Sequence, residues 1–184
     1  MAALALIIIV VNKAVRNGSG RQPMAHDTMV RHKRGGLYFD DFVIGRLYEH
    51  PLTRTVTQMD NMLFSNMTLN PQPLHIDRHF CETETEWGQP LMNSLFTLGL
   101  MCGIQVSDMT VGTTIANLGM TDVTFPNPLF EGDTVSATTE VVAKRPSKSR
   151  PEQGMIKVRT TTLNQRDEVV QVSVGNLVVP RRAA

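Results

Sequence analysis

The pattern of apolar and polar positions divides the chain into one wholly apolar segment and several alternating ones. From Pro90 to Val106 the residues Leu91, Met92, Leu95, Phe96, Leu98, Leu100, Met101, Cys102, Ile104 and Val106 leave almost no polar face. A helix apolar all round is buried all round. It is shorter than a membrane span and is interrupted by Asn93, Ser94, Thr97, Gly99 and Gly103, so it reads as a core helix covered by sheet. The stretches Thr113 to Thr124, Asp133 to Ala143, Met155 to Leu163 and Val169 to Val179 are β-branched and strand-length. Turn residues separate them: Pro126-Asn127-Pro128, Arg145 to Gly154, and Asn164 to Glu168.

Within those strands Val135, Ala137, Thr139 and Val141 fall on one face, as do Ile156, Val158, Thr160 and Thr162, with Lys157 and Arg159 opposite. This is the one-face-buried pattern of an antiparallel sheet. Upstream, Gly36 to Gly45 reads as an opening strand and loop, and His50 to Thr57 as a strand. Gln58 to Met67 reads as a short helix opened by Thr57 with Asp60 three residues on. Asn70-Pro71-Gln72-Pro73 ends that helix, and a polar loop or short helix follows, carrying His75, Asp77 and the acidic run Glu82 to Glu86. The expected fold class is α+β: a single domain in which a curved antiparallel sheet wraps one buried central helix, the hot-dog plan.

Composition narrows the picture further. A chain of 184 residues with 41% hydrophobic and 19% charged residues carries one ordinary core. Eighteen Lys and Arg against seventeen Asp and Glu give a net charge of +1, which supplies no field for a nucleic-acid partner or stable membrane association. Cys81 and Cys102 match neither a zinc nor a redox spacing and read as free thiols, which suits a reducing, cytoplasmic setting. No metal or redox cofactor is indicated. The apolar run Ala2 to Val11 is too short for a bilayer and is followed, not preceded, by Lys13 and Arg16. Residues 1–35 are therefore expected to be a flexible extension, with Met24 a natural start and a membrane-associating or targeting leader the alternative, ahead of a domain at 36–184. The last residues, Arg181-Arg182-Ala183-Ala184, are not a peroxisomal address.

The chemistry gathers around Leu63 to Asp77. Thr68, Pro73, Leu74 and His75 match the Thr-Gly-Asp-x-Asn-Pro-Leu-His signature of MaoC-like (R)-specific enoyl-CoA hydratases, while Leu69, Asn70 and Gln72 replace its Gly, Asp and Asn. Trp87 to Ser94 resembles the Phe-Gly-x-Pro-Ile-x-His-Gly helix start of that family, and Phe125 to Thr134 its Phe-x-x-Pro-Val-x-x-Gly-Asp-Thr turn. Three segments in the right order make the resemblance specific over about Gly36 to Pro180. The wording Asn-x-Gln-Pro-Leu-His, Asn-Ser-Leu-Phe-Thr-Leu and Ser-Lys-Ser-Arg-Pro is similar to a subgroup of itaconyl-CoA and mesaconyl-CoA type hydratases.

That resemblance implies hydration of a conjugated thioester, with a base for the attacking water, an acid for the α-carbon and donors for the enolate oxygen. The family shares the acid–base work between an Asp and a His, but here the Asp position is Asn70, which is no base at neutral pH. His75 is then the titrating group, with Asn70 orienting the water and Asp77 a helper or a helix cap. A loop-fixing role for His75 and a turn role for Asn70 are the structural alternatives. Backbone amides at Asn93, Ser94 and Leu95 are the expected oxyanion donors, an assignment compatible with ordinary capping. Lys144, Arg145, Lys148 and Arg150 are candidates for the phosphates of coenzyme A or a solvated turn, and Arg54 for a second substrate carboxylate. The implied partners are an acyl-CoA substrate and a second copy in a homodimer. A thioesterase and a non-catalytic acyl-CoA-binding subunit are the competing functions.

Overall fold

The computed structural model describes residues 31–183, so the apolar run 2–11 and the Met24 start lie outside the described residues. Four helices and six strands follow one another as β1 (Leu47–Glu49), β2 (Arg54–Thr55), α1 (Gln58–Met67), α2 (Pro73–Ile76), α3 (Arg78–Glu84), α4 (Ser94–Met109), β3 (Ala116–Thr124), β4 (Thr134–Pro146), β5 (Gln153–Leu163) and β6 (Val169–Pro180). The sheet order is β1-β4-β5-β6-β3, with β2 also pairing β4, and every pairing is antiparallel. The long helix α4 packs against this sheet, which is the hot-dog fold. Among the described residues no helix is long and apolar enough to cross a membrane.

The alternation along β4 and β5 sets which face meets the helix. Val135, Ala137, Thr139 and Val141 are buried, as are Ile156, Val158, Thr160 and Thr162, while Lys157 and Arg159 are exposed. Val56, Met92, Ile104, Leu129, Val135, Ala137 and Val170 form one apolar cluster, against which Phe96 and Leu100 pack. Two buried threonines on this face keep their hydroxyls bonded. Thr139 and Thr160 share a hydrogen bond of 2.9 Å, and the buried His50 reaches Thr139 Oγ1 through Nε2 at 2.8 Å and Asp108 Oδ1 through Nδ1 at 2.6 Å. The end of α4 is thereby tied to the sheet through a satisfied polar chain.

Four local expectations change. Gly36 to Gly45 contains no strand: Tyr38 N–H donates to Asp41 Oδ2 at 2.9 Å, and this side-chain capture closes a 3₁₀ turn at Phe39–Asp41. His50 to Thr57 keeps only Arg54–Thr55 as strand, because Pro51 interrupts it, while Leu47–Glu49 pairs instead. Strand β4 runs on to Pro146, with Lys144 opposite Ile156 and Arg145 opposite Met155, so the basic turn is shorter than its composition suggests. Finally, α4 is not buried all round within one chain. Thr97, Met101, Ile104, Gln105 and Met109 face the sheet, but Leu95 is 62% exposed and Val106 37%. A single sheet covers only one side of a helix. Residues 31–36 are hydrogen-bonded to the end of α4, through Gly36 N–H to Val111 O at 3.1 Å and Arg31 to Asp108 O at 2.7 Å.

The turn before β4 is held by Asp133, which accepts from Phe130 N–H at 3.0 Å, Gln165 Nε2 at 2.7 Å and Arg166 Nη1 at 2.8 Å. Burial pushes this carboxyl up, but the hydrogen bonds from Arg166, Phe130 and Gln165 and the charge of Arg166 outweigh burial and hold it below its ordinary value. The unfolded chain then binds this proton more tightly than the folded one, so the stabilisation is complete above the unfolded pKa and is lost as pH falls through the depressed folded value. Thermal melts followed by circular dichroism should show Asp133→Asn losing less stability than the wild type between about pH 5 and pH 2. Parallel curves for the two proteins would contradict this role.

Candidate active site

Helix α1 stops at Met67 because Pro71 and Pro73 follow and Leu69 turns the chain at φ 54°. Asn70 then accepts Gln72 N–H on Oδ1 at 3.1 Å, the side-chain turn available to an Asn before Pro. Pro73 occupies the first turn of α2, where its missing N–H costs nothing, and His75 stands within this four-residue helix, half-buried. The His75 Nδ1 lies 2.9 Å from Leu91 O. A carbonyl only accepts, so Nδ1 carries the proton and the neutral ring presents its lone pair at Nε2.

Leu91 in turn donates its N–H to Leu74 O at 3.0 Å, which clamps α2 against the segment leading into α4. Asn93 caps α4 by accepting Leu95 N–H on Oδ1 at 3.0 Å. The Leu95 amide is thus engaged by the cap and the Asn93 amide by Asn61 Oδ1, and of the three expected donors Ser94 is the one whose residue lines a cleft. The cleft, of about 220 Å³, is also lined by Trp87, Leu91, Thr97, Phe125 and Pro128. His75 is not among the walls of this cleft; it joins the cleft through Leu91.

The other expected residues fall elsewhere. Asp77 is exposed and caps α3, accepting Phe80 N–H at 3.0 Å. Arg54 is paired with Asp60. Lys144 and Arg145 end β4, and Lys148 and Arg150 sit in the turn to β5. Lys144 Nζ lies 4.9 Å above the Phe39 ring. Since Met92 N–H bonds Leu129 O beside the start of β4, the basic quartet is separated from Ser94 by a strand run on the order of 30 Å. One chain does not bring them together. Cys81 is buried 3.4 Å from Leu74 O, and burial pushes its thiol up, which keeps it protonated. Among the described residues no group of three or more His, Cys, Asp or Glu is placed to hold a metal.

One residue at the centre of this site escaped the sequence reading. Asn61, on the inner face of α1, is 0% exposed. Its Nδ2 donates to His75 O at 2.8 Å and Leu91 O at 2.9 Å, and its Oδ1 accepts Asn93 N–H at 2.9 Å. The available signal was an inverted helix: Asn61 and Ser65 are buried while Met59, Leu63 and Met67 are exposed. Apolar residues alone, taken as the inner face, point the wrong way.

The same segments carry the likeness to known proteins. The family model for the MaoC like domain matches residues 41–164, two thirds of the chain. The chain belongs to this family. A beta-methylmalyl-CoA dehydratase of Chloroflexus aurantiacus and a mesaconyl-CoA hydratase of Cereibacter sphaeroides are each 29% identical over 153 residues, 80% of this chain and 41% and 42% of their own length. The chain thus spans about two-fifths of the length of these two relatives. The crystal structure of a MaoC-like dehydratase from Rhodospirillum rubrum superposes with a TM-score of 0.72 at 29% identity, covering 81% of this chain and all of that one.

Proposed function

We propose that this MaoC-like domain adds water reversibly to a 2-enoyl-CoA thioester, with His75 as its acid–base group. The observation that carries the reading is the shared carbonyl-and-cap segment Leu91 to Asn93: Leu91 O fixes the His75 tautomer, and two residues later Asn93 caps the helix whose first residue, Ser94, lines the cleft. In hydration, Nε2 takes a proton from water as its oxygen bonds to the β-carbon, and the imidazolium so formed then gives that proton to the α-carbon, which restores the neutral ring. The enolate oxygen formed between these steps meets the positive end of α4. Asn70 uses Oδ1 in its own turn, which leaves its NH₂ to orient the water.

The names of the relatives favour a branched, dicarboxylic acyl group such as a mesaconyl or itaconyl chain. Absorbance of the conjugated thioester and release of free thiol separate the alternatives across straight-chain, methyl-branched and dicarboxylic enoyl-CoAs. Absorbance lost without thiol supports hydration; thiol release supports a thioesterase. Binding without turnover supports a non-catalytic subunit.

The functional unit in this reading is a homodimer. The outer face of α4 carries Leu95, Gly99, Gly103 and Val106, and a Cβ built on either glycine would meet nothing within 4 Å. In the sheet β3 is an edge strand whose Leu118 is 57% exposed, the kind of edge that is normally paired or covered. The two relatives about twice as long fit a second copy in the place of their remaining length. Sedimentation should give twice the chain mass for the wild type and the single mass for Leu118→Arg. A monomeric wild type at micromolar concentration would end this part of the reading.

A further inference from the structure

Asn61 holds more of this site than any other side chain, and its three partners are all backbone atoms. Two belong to the run that begins α4, Leu91 O and Asn93 N–H, and the third is the carbonyl of His75 itself. Both hydrogens of its NH₂ and its oxygen are used, and no water reaches it at 0% exposure. Leu91 O accepts from Asn61 Nδ2 at 2.9 Å and from His75 Nδ1 at 2.9 Å, so the oxygen that selects the imidazole tautomer is itself placed by Asn61. Gln58 Nε2 adds a longer bond of 3.3 Å to His75 O from one turn earlier on the same helix.

We propose that Asn61 is a positioning residue, which sets the ring of His75 and the start of α4 at a fixed separation. The proposal rests on the hydratase reading and names the part that holds its geometry. Helix α2 has only four residues and no fully buried side chain, so beyond the Leu91 N–H to Leu74 O bond little packing of its own defines where His75 stands. The Asn61 amide supplies that definition. Asp in its place preserves the shape and the acceptor for Asn93 N–H, but sets a carboxylate oxygen against two carbonyl oxygens. Ser in its place is too short to span the three partners.

Two readings test this in the full chain. Nitrogen-15 spectra of the histidines, with His75 assigned through His75→Gln, should show the Nδ1–H tautomer for neutral His75 in the wild type. In Asn61→Asp and Asn61→Ser, the Nε2–H form should appear. In the same variants kcat should fall about ten- to a hundredfold, the scale of a misplaced catalytic group, with KM changed less than about threefold. A purely structural Asn would lower the melting temperature without moving the tautomer. A folded variant with an unchanged tautomer and kcat within threefold overturns the proposal, as does failure of both variants to fold. If the wild type hydrates no enoyl-CoA while the tautomer still moves in the variants, the hydratase reading falls and the positioning role stands.

Discussion

His75→Gln is expected to lower kcat/KM for the best enoyl-CoA substrate by about 10² to 10⁴-fold, the range for loss of a general acid–base. Gln is the informative choice because its amide can still donate to Leu91 O, where His75 Nδ1 now sits at 2.9 Å, yet it neither accepts nor releases a proton near neutral pH. The clamp between α2 and the start of α4 then survives in outline, and the melting temperature should change by only a few degrees. His75→Ala removes the clamp as well and should lose both activity and some stability. A loss of less than tenfold in His75→Gln would mean that another group carries the proton. Asn70 is no candidate for that work, and Asp77 already caps α3. That group would then have to be sought among the residues that line the cleft around Ser94.

The second large effect concerns the fold. Phe42 is the largest side chain with no exposed surface, and it stands against Tyr48 with ring centroids 6.3 Å apart. It follows a 3₁₀ turn in a stretch without a strand of its own, so the opening of the domain is fastened by side-chain burial together with single backbone bonds such as Leu37 N–H to Met109 O and Gly45 N–H to Val141 O. Phe42→Ala should cost about 3–5 kcal/mol, the usual range for deleting a buried aromatic ring. Against a typical total of about 5–15 kcal/mol this is a large fraction. Urea titration should show a lower midpoint with the slope unchanged. A loss under about 1 kcal/mol would mean the surrounding chain collapses into the space, contrary to close packing at this position. Phe42→Leu should fall between the two.

Much of the frame was legible along the chain, and the reason differs by element. Helix α1 could be bounded at both ends because its signals are local: Thr57 and Asp60 form the capping box, and the prolines after Asn70 stop it. Strands β4 and β5 were legible because a period of two repeats over enough residues to be unambiguous. The opening segment was not, since a carboxylate three residues on diverted the backbone of Tyr38 into a turn that strand propensity does not foresee. The exposed side of α4 was also misjudged, for apolar composition says that a face must be covered without saying by which chain.

The candidate site divides in the same way. His75 was marked by sequence because its chemistry and its motif are properties of a few adjacent residues. The tautomer that leaves the Nε2 lone pair open, the occupation of the Leu95 amide by Asn93, and the three hydrogen bonds of Asn61 depend on atoms from residues 61, 75, 91 and 93 meeting in space. Periodicity and local caps act over one or two turns, and so the sequence alone determined the fold class and singled out His75 as the proposed acid–base residue. Hydrogen bonds between segments exist only once the α2 turn has closed on the run before α4, and for that reason the tertiary structure alone decided which atoms of those residues remain free to act.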